Sequence, residues 1–124
     1  MKILKCAGCG KMVAVIKDSA CPTKCCGEPM EELTANTTEA AFEKHIPAVT
    51  VSGKEVIVRV GEVDHPMIPE HYIEWVLLET KEGRQRKSLE PGSEPAVKFA
   101  LTDGDEAVAV YAYCNLHGLW KKEL

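Results

Sequence analysis

The clearest indication of the fold class is the run Ala107-Val108-Ala109-Val110-Tyr111-Ala112-Tyr113, which follows the turn Asp103-Gly104. Its mixture of small, β-branched and aromatic residues is typical of a buried β-strand. Three further runs are rich in β-branched and apolar residues, at 55–60, 73–78 and 96–100. Turn dipeptides separate these runs: Ser52-Gly53, Glu82-Gly83 and Pro91-Gly92. Short strands at this spacing, without any long segment of helical periodicity, predict an antiparallel β-sandwich.

The composition is that of a globular protein. The 124 residues carry a net charge of −4 and are 45% hydrophobic, which is typical neither of disorder nor of nucleic-acid binding. No apolar run approaches the length of a membrane span, and the start Met1-Lys2-Ile3-Leu4-Lys5-Cys6 lacks the apolar core of a signal peptide. We therefore expect a cytoplasmic protein that binds neither nucleic acid nor membrane. Six cysteines in a reducing compartment predict metal ligation before disulfides.

The cysteines and histidines divide the chain into two modules. Five of the six cysteines fall between Cys6 and Cys26, whereas Cys114 and all four histidines lie downstream. The polar residues 31–38 have no periodic apolar pattern and are interpreted as the linker. We therefore expect a small metal-binding module at 1–36 and a β domain at 37–124. A module of about 36 residues is too small to fold on burial alone, and metal ligation by its cysteines would stabilise it.

Four thiolates of the first module form a candidate metal site: Cys6, Cys9, Cys25 and Cys26. A Cys-x-x-Cys knuckle places two sulfurs on one metal, and Gly10 and Gly27 are interpreted as allowing close backbone approach. The adjacent pair requires a bent backbone, because successive side chains of an extended chain point to opposite faces. Cys21 leaves open a rival set in which it replaces Cys25 or Cys26. Sulfur ligands alone do not distinguish iron from zinc, so a purely structural zinc ribbon remains an alternative.

Five side chains of the second module are candidate ligands of another metal: His45, His65, His71, Cys114 and His117. Imidazole and thiolate bind borderline-soft transition metals, and five ligands exceed the four at which structural zinc sites close. Two prolines between His65 and His71 exclude a helix interior, so we expect a loop that turns both imidazoles inward. Cys114 ends a predicted strand, and His117 lies in the turn behind it. The set favours a redox-capable centre.

The residues before His45 are candidates for a role beside this centre. Pro47 predicts extended geometry at Ile46. In an extended chain Glu43 and His45 face the same side, so the Glu43 carboxylate would reach the metal that His45 binds. The same alternation points Lys44 away, and Lys44 then needs a flexible loop to reach the site. Charge patterning alone favours a solvated surface lysine.

Taken together and in this order, the motifs resemble those of the superoxide reductases, also called desulfoferrodoxins and neelaredoxins. The matching segments are Glu43-Lys44-His45-Ile46-Pro47, His65-Pro66-Met67 with Glu70-His71-Tyr72-Ile73-Glu74-Trp75, and Cys114-Asn115-Leu116-His117-Gly118-Leu119-Trp120. Cys6-Ala7-Gly8-Cys9-Gly10 and Cys25-Cys26-Gly27-Glu28-Pro29-Met30 resemble the small, rubredoxin-like desulforedoxin module of some members. The resemblance spans nearly the whole chain, and the fifth cysteine, Cys21, departs from its pattern.

The resemblance implies an immunoglobulin-like sandwich and two irons per chain, one on four cysteines including the adjacent pair, one on four histidines and Cys114. It implies one-electron reduction of superoxide to hydrogen peroxide without oxygen evolution. A single thiolate leaves a ferrous centre with a net charge of plus one, which attracts a small anion to the open sixth position. By the same resemblance, Glu43 fills that position in the resting ferric state, and Lys44 guides superoxide and orders water for proton delivery. The family also implies a rubredoxin-type electron donor and a homodimer.

Two rival functions stay open. A copper or iron electron carrier without substrate turnover is the first, since blue-copper sites also use a β-sandwich, a cysteine, histidines and a weak axial methionine. No methionine follows His117, however, and two histidines are surplus to such a site. A storage or scaffold protein is the second, and it would not need Glu43 and Lys44 beside the metal. The aromatic residues are interpreted as core rather than as an electron path, namely Tyr72, Trp75, Tyr113 and Trp120.

Overall fold

The computed structural model describes residues 1–124, and the contacts within it divide the chain into two compact units, Met1–Thr34 and Ala35–Leu124. The first unit consists of five short strands: β1 (Lys2–Lys5), β2 (Met12–Val15), β3 (Lys24–Cys25), β4 (Glu28–Pro29) and β5 (Glu31–Glu32). One sheet has the order β2-β1-β5, and β3 pairs with β4. The interpretation of 31–38 as linker is wrong at its start, because Glu31 and Glu32 pair with β1. Two exposed acidic residues on an edge strand carry no apolar pattern that would reveal them.

The second unit is a sandwich of two antiparallel sheets. Its elements are α1 (Phe42–His45), β6 (Pro47–Ser52), β7 (Glu55–Val60), β8 (Ile73–Thr80), β9 (Arg84–Ser88), β10 (Ala96–Ala100), β11 (Ala107–Cys114) and β12 (Gly118–Glu123). One sheet has the order β10-β7-β6 and the other β12-β11-β8-β9. This partition of seven strands is that of an immunoglobulin-like sandwich, as expected. The single helix α1 is one turn long, and the protein has no helix with the length and apolarity that a membrane crossing requires.

The four predicted strands of the second unit are confirmed, and its three other strands lie at sheet edges. β7 and β10 have the predicted bounds, while β8 and β11 continue beyond them to Thr80 and Cys114. The three strands of the second unit that the sequence did not reveal, β6, β9 and β12, all lie at sheet edges, and β10 is the one edge strand that was predicted. Strand β9, for example, reads Arg-Gln-Arg-Lys-Ser and is largely exposed. An edge strand buries less of its surface than a central one, so its sequence carries a weaker apolar signal.

The core lies between the two sheets and includes one of the candidate ligands. Alternate residues of β7 and β11 face it, namely Val56, Val58 and Val60 from β7 and Val110, Ala112 and Cys114 from β11. The Cys114 side chain is fully buried. Because β11 ends at Cys114, the core-facing side of this strand delivers a sulfur atom to the end of the sandwich.

Candidate metal centres

The four predicted cysteine ligands of the first unit come together. The sulfur atoms of Cys6, Cys9, Cys25 and Cys26 all lie within 4.8 Å of one another. The Cys9 and Cys25 sulfurs are 3.6 Å apart. Tetrahedral ligation with metal–sulfur bonds of about 2.3 Å separates two sulfurs by about 3.8 Å, so this spacing fits one metal ion. Cys21 is exposed and does not belong to the group, so the structure does not favour the rival set.

The bend that the adjacent pair requires lies at Cys26, which has a φ of 53°. This left-handed conformation turns the Cys26 side chain back toward the one before it. Gly8 lies directly opposite, since a Cβ placed there would be 3.1 Å from the Cys26 Cβ. The role expected of Gly10 and Gly27 is therefore wrong: both occupy open space and serve turns with positive φ, whereas Gly8 allows the close approach.

The cysteine cluster has the electrostatics of a cation site. The pKa of Cys6 is lowered to about 6, chiefly by a hydrogen bond from the Cys9 backbone N–H. The pKa values of Cys25 and Cys26 are raised, chiefly because their thiols donate hydrogen bonds to the Cys6 sulfur. The cluster thus favours a thiolate at Cys6, and a bound cation would be needed to deprotonate Cys25 and Cys26.

The second unit brings all five of its predicted ligands together. Three elements supply them: α1 carries His45, the β7–β8 loop carries His65 and His71, and the end of β11 carries Cys114. The ligand atoms of these four residues lie within 4.8 Å of one another. His117, in the turn between β11 and β12, places its Nδ1 3.1 Å from His45 Nε2 and 3.9 Å from the Cys114 sulfur.

The hydrogen bonds around this cluster fix which ring atoms face its centre. A carbonyl oxygen only accepts, so the 2.7 Å contacts of His45 Nδ1 with the Ala41 oxygen and of His65 Nδ1 with the Pro66 oxygen place a proton on each Nδ1. The two Nε2 atoms then present lone pairs to each other at 3.1 Å. His71 Nε2 is buried without any hydrogen-bond partner. Facing lone pairs and an orphaned buried nitrogen are relieved by a metal ion bound between them.

The four imidazoles form a square. Neighbouring rings are nearly perpendicular around the order His45, His65, His71, His117, with interplanar angles of 79°, 82°, 81° and 82°. The rings of His45 and His71, on opposite sides of the square, are closer to parallel, and their centroids are 6.3 Å apart. Adjacent nitrogens of a square of metal–nitrogen bonds of about 2.1 Å are about 3.0 Å apart, which matches the observed 3.1 Å contacts. The donor set therefore fits a metal with four nitrogen ligands and one sulfur ligand.

Burial favours the neutral, metal-binding form of three of these imidazoles, those of His45, His65 and His71. It lowers the pKa of His65 to about 4, and it is also the main cause of the lowered pKa values of His45 and His71. Burial likewise raises the pKa of the Cys114 thiol, and backbone N–H groups of Leu116 and His117 oppose that rise by donating to the sulfur. Metal binding would therefore displace a proton from the Cys114 thiol, whereas lone pairs of His45, His65 and His71 are already available.

The expected extended geometry around Glu43 is wrong. Residues 42–45 form the helical turn α1, and only Ile46 is extended, as Pro47 predicts. Positions two apart on a helix point to different sides, so Glu43 does not share the face of His45. Instead Glu43 borders a surface groove with Glu62 and Lys122, outside the donor group. The turn α1 is only four residues long, too short to show a helical pattern in the sequence.

Lys44 is exposed on α1 and acts on the cluster through its charge. Its positive charge adds to the effect of burial in lowering the pKa of both His45 and His71. The turn itself rests on Gly61, because a Cβ there would lie 2.6 Å from the Glu43 oxygen and 2.8 Å from the Ile46 oxygen. The sequence analysis missed Gly61, which no periodic pattern marks.

Three of the four aromatic residues interpreted as core are buried: Trp75, Tyr113 and Trp120, while Tyr72 is half-buried. Trp120 also contacts the site. The centroids of the Trp120 and His45 rings are 4.8 Å apart, and the Trp120 Nε1–H donates to the His117 carbonyl oxygen at 3.1 Å. Trp120 therefore packs against one candidate ligand while holding the backbone of another.

Known proteins share the sequence and fold of this chain. The family described as Desulfoferrodoxin matches residues 37–123. The desulfoferrodoxin of Syntrophotalea carbinolica is 42% identical over 123 residues, covering 99% of this chain and 96% of that protein. The crystal structure of the superoxide reductase from Treponema pallidum is 42% identical with a TM-score of 0.82, covering 97% of this chain and 98% of that one. A superoxide reductase from Giardia intestinalis is 36% identical with a TM-score of 0.56, covering 66% of this chain and 99% of that one.

Proposed function

The chain belongs to the desulfoferrodoxin family, and from this premise we propose that it is a superoxide reductase, an oxidoreductase that converts superoxide to hydrogen peroxide in defence against oxygen stress. The observation that carries the proposal is the square of four imidazoles beside the Cys114 sulfur at the end of the sandwich. Five donors exceed the four ligands of a structural zinc site, and a metal that accepts six ligands would keep one position for a small ligand. The reaction consumes one superoxide, one electron and two protons for each hydrogen peroxide formed.

Two irons per chain are the cofactors. Cys6, Cys9, Cys25 and Cys26 would hold one of them, and four histidines with Cys114 would hold the other. When bound, the iron on the histidines and the thiolate supplies the single electron for superoxide, and the thiolate increases its electron density. The protein contributes rigid, neutral imidazoles, two of which are held by the Ala41 and Pro66 carbonyl oxygens. It also contributes burial that keeps water from competing for His45 and His65.

Lys44 and Glu43 are the residues that we propose to act beside the iron. Lys44 is an exposed cation whose charge is felt by His45 and His71, which supports a role in attracting superoxide and in ordering water for proton delivery. For Glu43 we keep the role of capping the resting ferric centre. Because its carboxylate lies outside the donor group, that role requires the Glu43 side chain or the turn α1 to move.

The remaining assignments extend this proposal. We keep the module boundary at 36/37, two residues beyond the division of the structure after Thr34, as the boundary between a desulforedoxin-like unit and the catalytic unit. A small rubredoxin-type protein donates the electron, the protein functions as a homodimer, and it works in the cytoplasm, where its six unpaired cysteines remain reduced.

An electron carrier without turnover is the alternative, and one observation weighs against its copper form. A blue-copper site uses two histidines, a cysteine and a weak axial methionine. The sulfur of Met67, which lies in the loop between His65 and His71, instead accepts a hydrogen bond from the Ile73 N–H at 3.4 Å. Four converging histidines also exceed what such a site uses.

Metal analysis combined with product analysis tests the proposal. We expect two irons per chain and, after reaction of the reduced protein with superoxide, one hydrogen peroxide for each superoxide consumed and no oxygen. Dismutation would instead give oxygen and half as much peroxide. Oxygen evolution, bound copper, or a reduced protein that does not consume superoxide would contradict the proposed function.

A further inference from the structure

The side chain of Asn115 connects the two segments that carry the exposed half of the histidine–cysteine cluster. Asn115 follows Cys114 directly, in the turn that leads to His117. Its Oδ1 accepts a hydrogen bond from the Tyr72 N–H at 3.0 Å, and its Nδ2–H donates to the Glu70 oxygen at 3.1 Å. Its own backbone N–H donates to the Tyr72 oxygen at 3.2 Å. Three hydrogen bonds thus reach the two residues that flank His71.

These bonds continue the sheet beyond its end. The β8–β11 ladder closes at the pair Ile73–Cys114, where the register is irregular. One residue further on, Asn115 exchanges hydrogen bonds with Tyr72 as a ladder pair would, with its side-chain oxygen replacing a backbone carbonyl. The bonds between Ile68 and His71 stay inside the loop and do not tie it to β11. Asn115 therefore provides the hydrogen-bonded connection between the His71 loop and the Cys114 turn.

His71 depends on this connection more than the buried histidines do. The rings of His45 and His65 are each oriented by a carbonyl oxygen on Nδ1. His71 is half-buried, and its Nε2 has no hydrogen-bond partner. Its position is thus set through its backbone, which the flanking bonds to Asn115 hold.

We propose that Asn115 is a positioning residue for the iron centre, which holds His71 at a fixed distance from Cys114 through the backbone of residues 70–72. The inference rests on the proposed function, because it requires a metal on the histidine–cysteine cluster. Loss of an outer partner of a metal ligand typically weakens metal binding by 10–100-fold. The same loss at Asn115 is therefore expected to loosen one of the four nitrogen ligands while leaving the thiolate bound.

Iron release from the full-length, iron-loaded protein tests this role. The oxidised histidine–thiolate centre is followed by its red thiolate-to-iron charge-transfer band, while the shorter-wavelength bands of the cysteine-bound iron serve as an internal reference. With EDTA as the competing chelator, Asn115→Ala is expected to lose the red band about tenfold faster or more than the wild type, with a shifted band position. The cysteine-bound iron should be released at the wild-type rate.

Asn36→Ala is the matched control, because the Asn36 side chain also makes two hydrogen bonds to backbone, with Lys121 N–H at 2.9 Å and the Lys121 oxygen at 3.1 Å. It should lower thermal stability without changing the band or its decay. If Asn115→Ala does not fold, Asn115→Ser, which shortens the side chain and removes the bond to Glu70, should also accelerate release. A folded Asn115 variant with wild-type band and release rate overturns the inference alone. A wild-type protein without any red band overturns the proposed function and this inference together.

Discussion

Replacing Gly61 by alanine tests how closely the turn α1 must be positioned for the iron site. The new Cβ would lie 2.6 Å from the Glu43 oxygen, 2.8 Å from the Ile46 oxygen and 3.0 Å from the Lys44 carbonyl carbon. All three are backbone atoms, so no side chain can rotate away from the contact. Ordinary contact begins at 3.4 Å, so the distance between the Glu43 oxygen and the new Cβ must increase by about 0.8 Å.

This displacement is large for the site that the turn carries. Catalytic groups must be held within about 0.5 Å of their working geometry, and His45 ends the displaced turn. A misplacement of about 1 Å can reduce a rate by about a hundredfold. We expect the second-order rate of superoxide reduction to fall by ten- to a hundredfold, and overpacking to lower the free energy of unfolding by about 1–3 kcal/mol.

Gly83→Ala is the control, since a Cβ at Gly83 meets nothing within 4 Å and its φ is not positive. This change should leave the rate unaltered and stability within about 1 kcal/mol of the wild type. Pulse radiolysis gives the rate, thermal unfolding gives the stability, and the red band reports the iron centre in both variants. If Gly61→Ala matches Gly83→Ala in rate, stability and band, the close packing of Gly61 against the turn does not position His45.

Three further substitutions test separate parts of the proposed function. Cys9→Ser should remove one iron per chain and leave superoxide reduction intact, as metal analysis and activity would show; loss of both irons would contradict two independent sites. Cys114→Ser should abolish the red charge-transfer band and most activity, because the second unit has no other cysteine; full activity would exclude a thiolate ligand. Lys44→Ile should slow superoxide attack by on the order of tenfold and flatten its salt dependence, whereas Glu43→Ala should change only the oxidised spectrum. An unchanged rate and salt slope in Lys44→Ile would leave Lys44 as a solvated surface residue.

The sequence determined the central strands and the chemical identity of both donor sets. The central strands β7, β8 and β11 carry apolar patterns because their neighbours in the sheet bury them, and the edge strand β10 keeps a recognisable pattern because its Phe99 lies in the core. The exposed edge strand β9 lacks that pattern, so only its pairing with β8 identifies it as a strand. The residue types that bind metal were equally visible, since imidazole and thiolate are rare and chemically distinctive in this chain.

How these side chains meet depends on the tertiary structure. The helical turn at 42–45, the close approaches at Gly8 and Gly61 and the bonds of Asn115 have no local signal, because each depends on backbone that lies far away in sequence. His45 and His117 are 72 positions apart, yet their nitrogens lie 3.1 Å from each other. A sequence states which groups can bind a metal and where short-range periodicity places them. The distances between such groups are set by the packing of the sheets, which is a property of the folded chain as a whole.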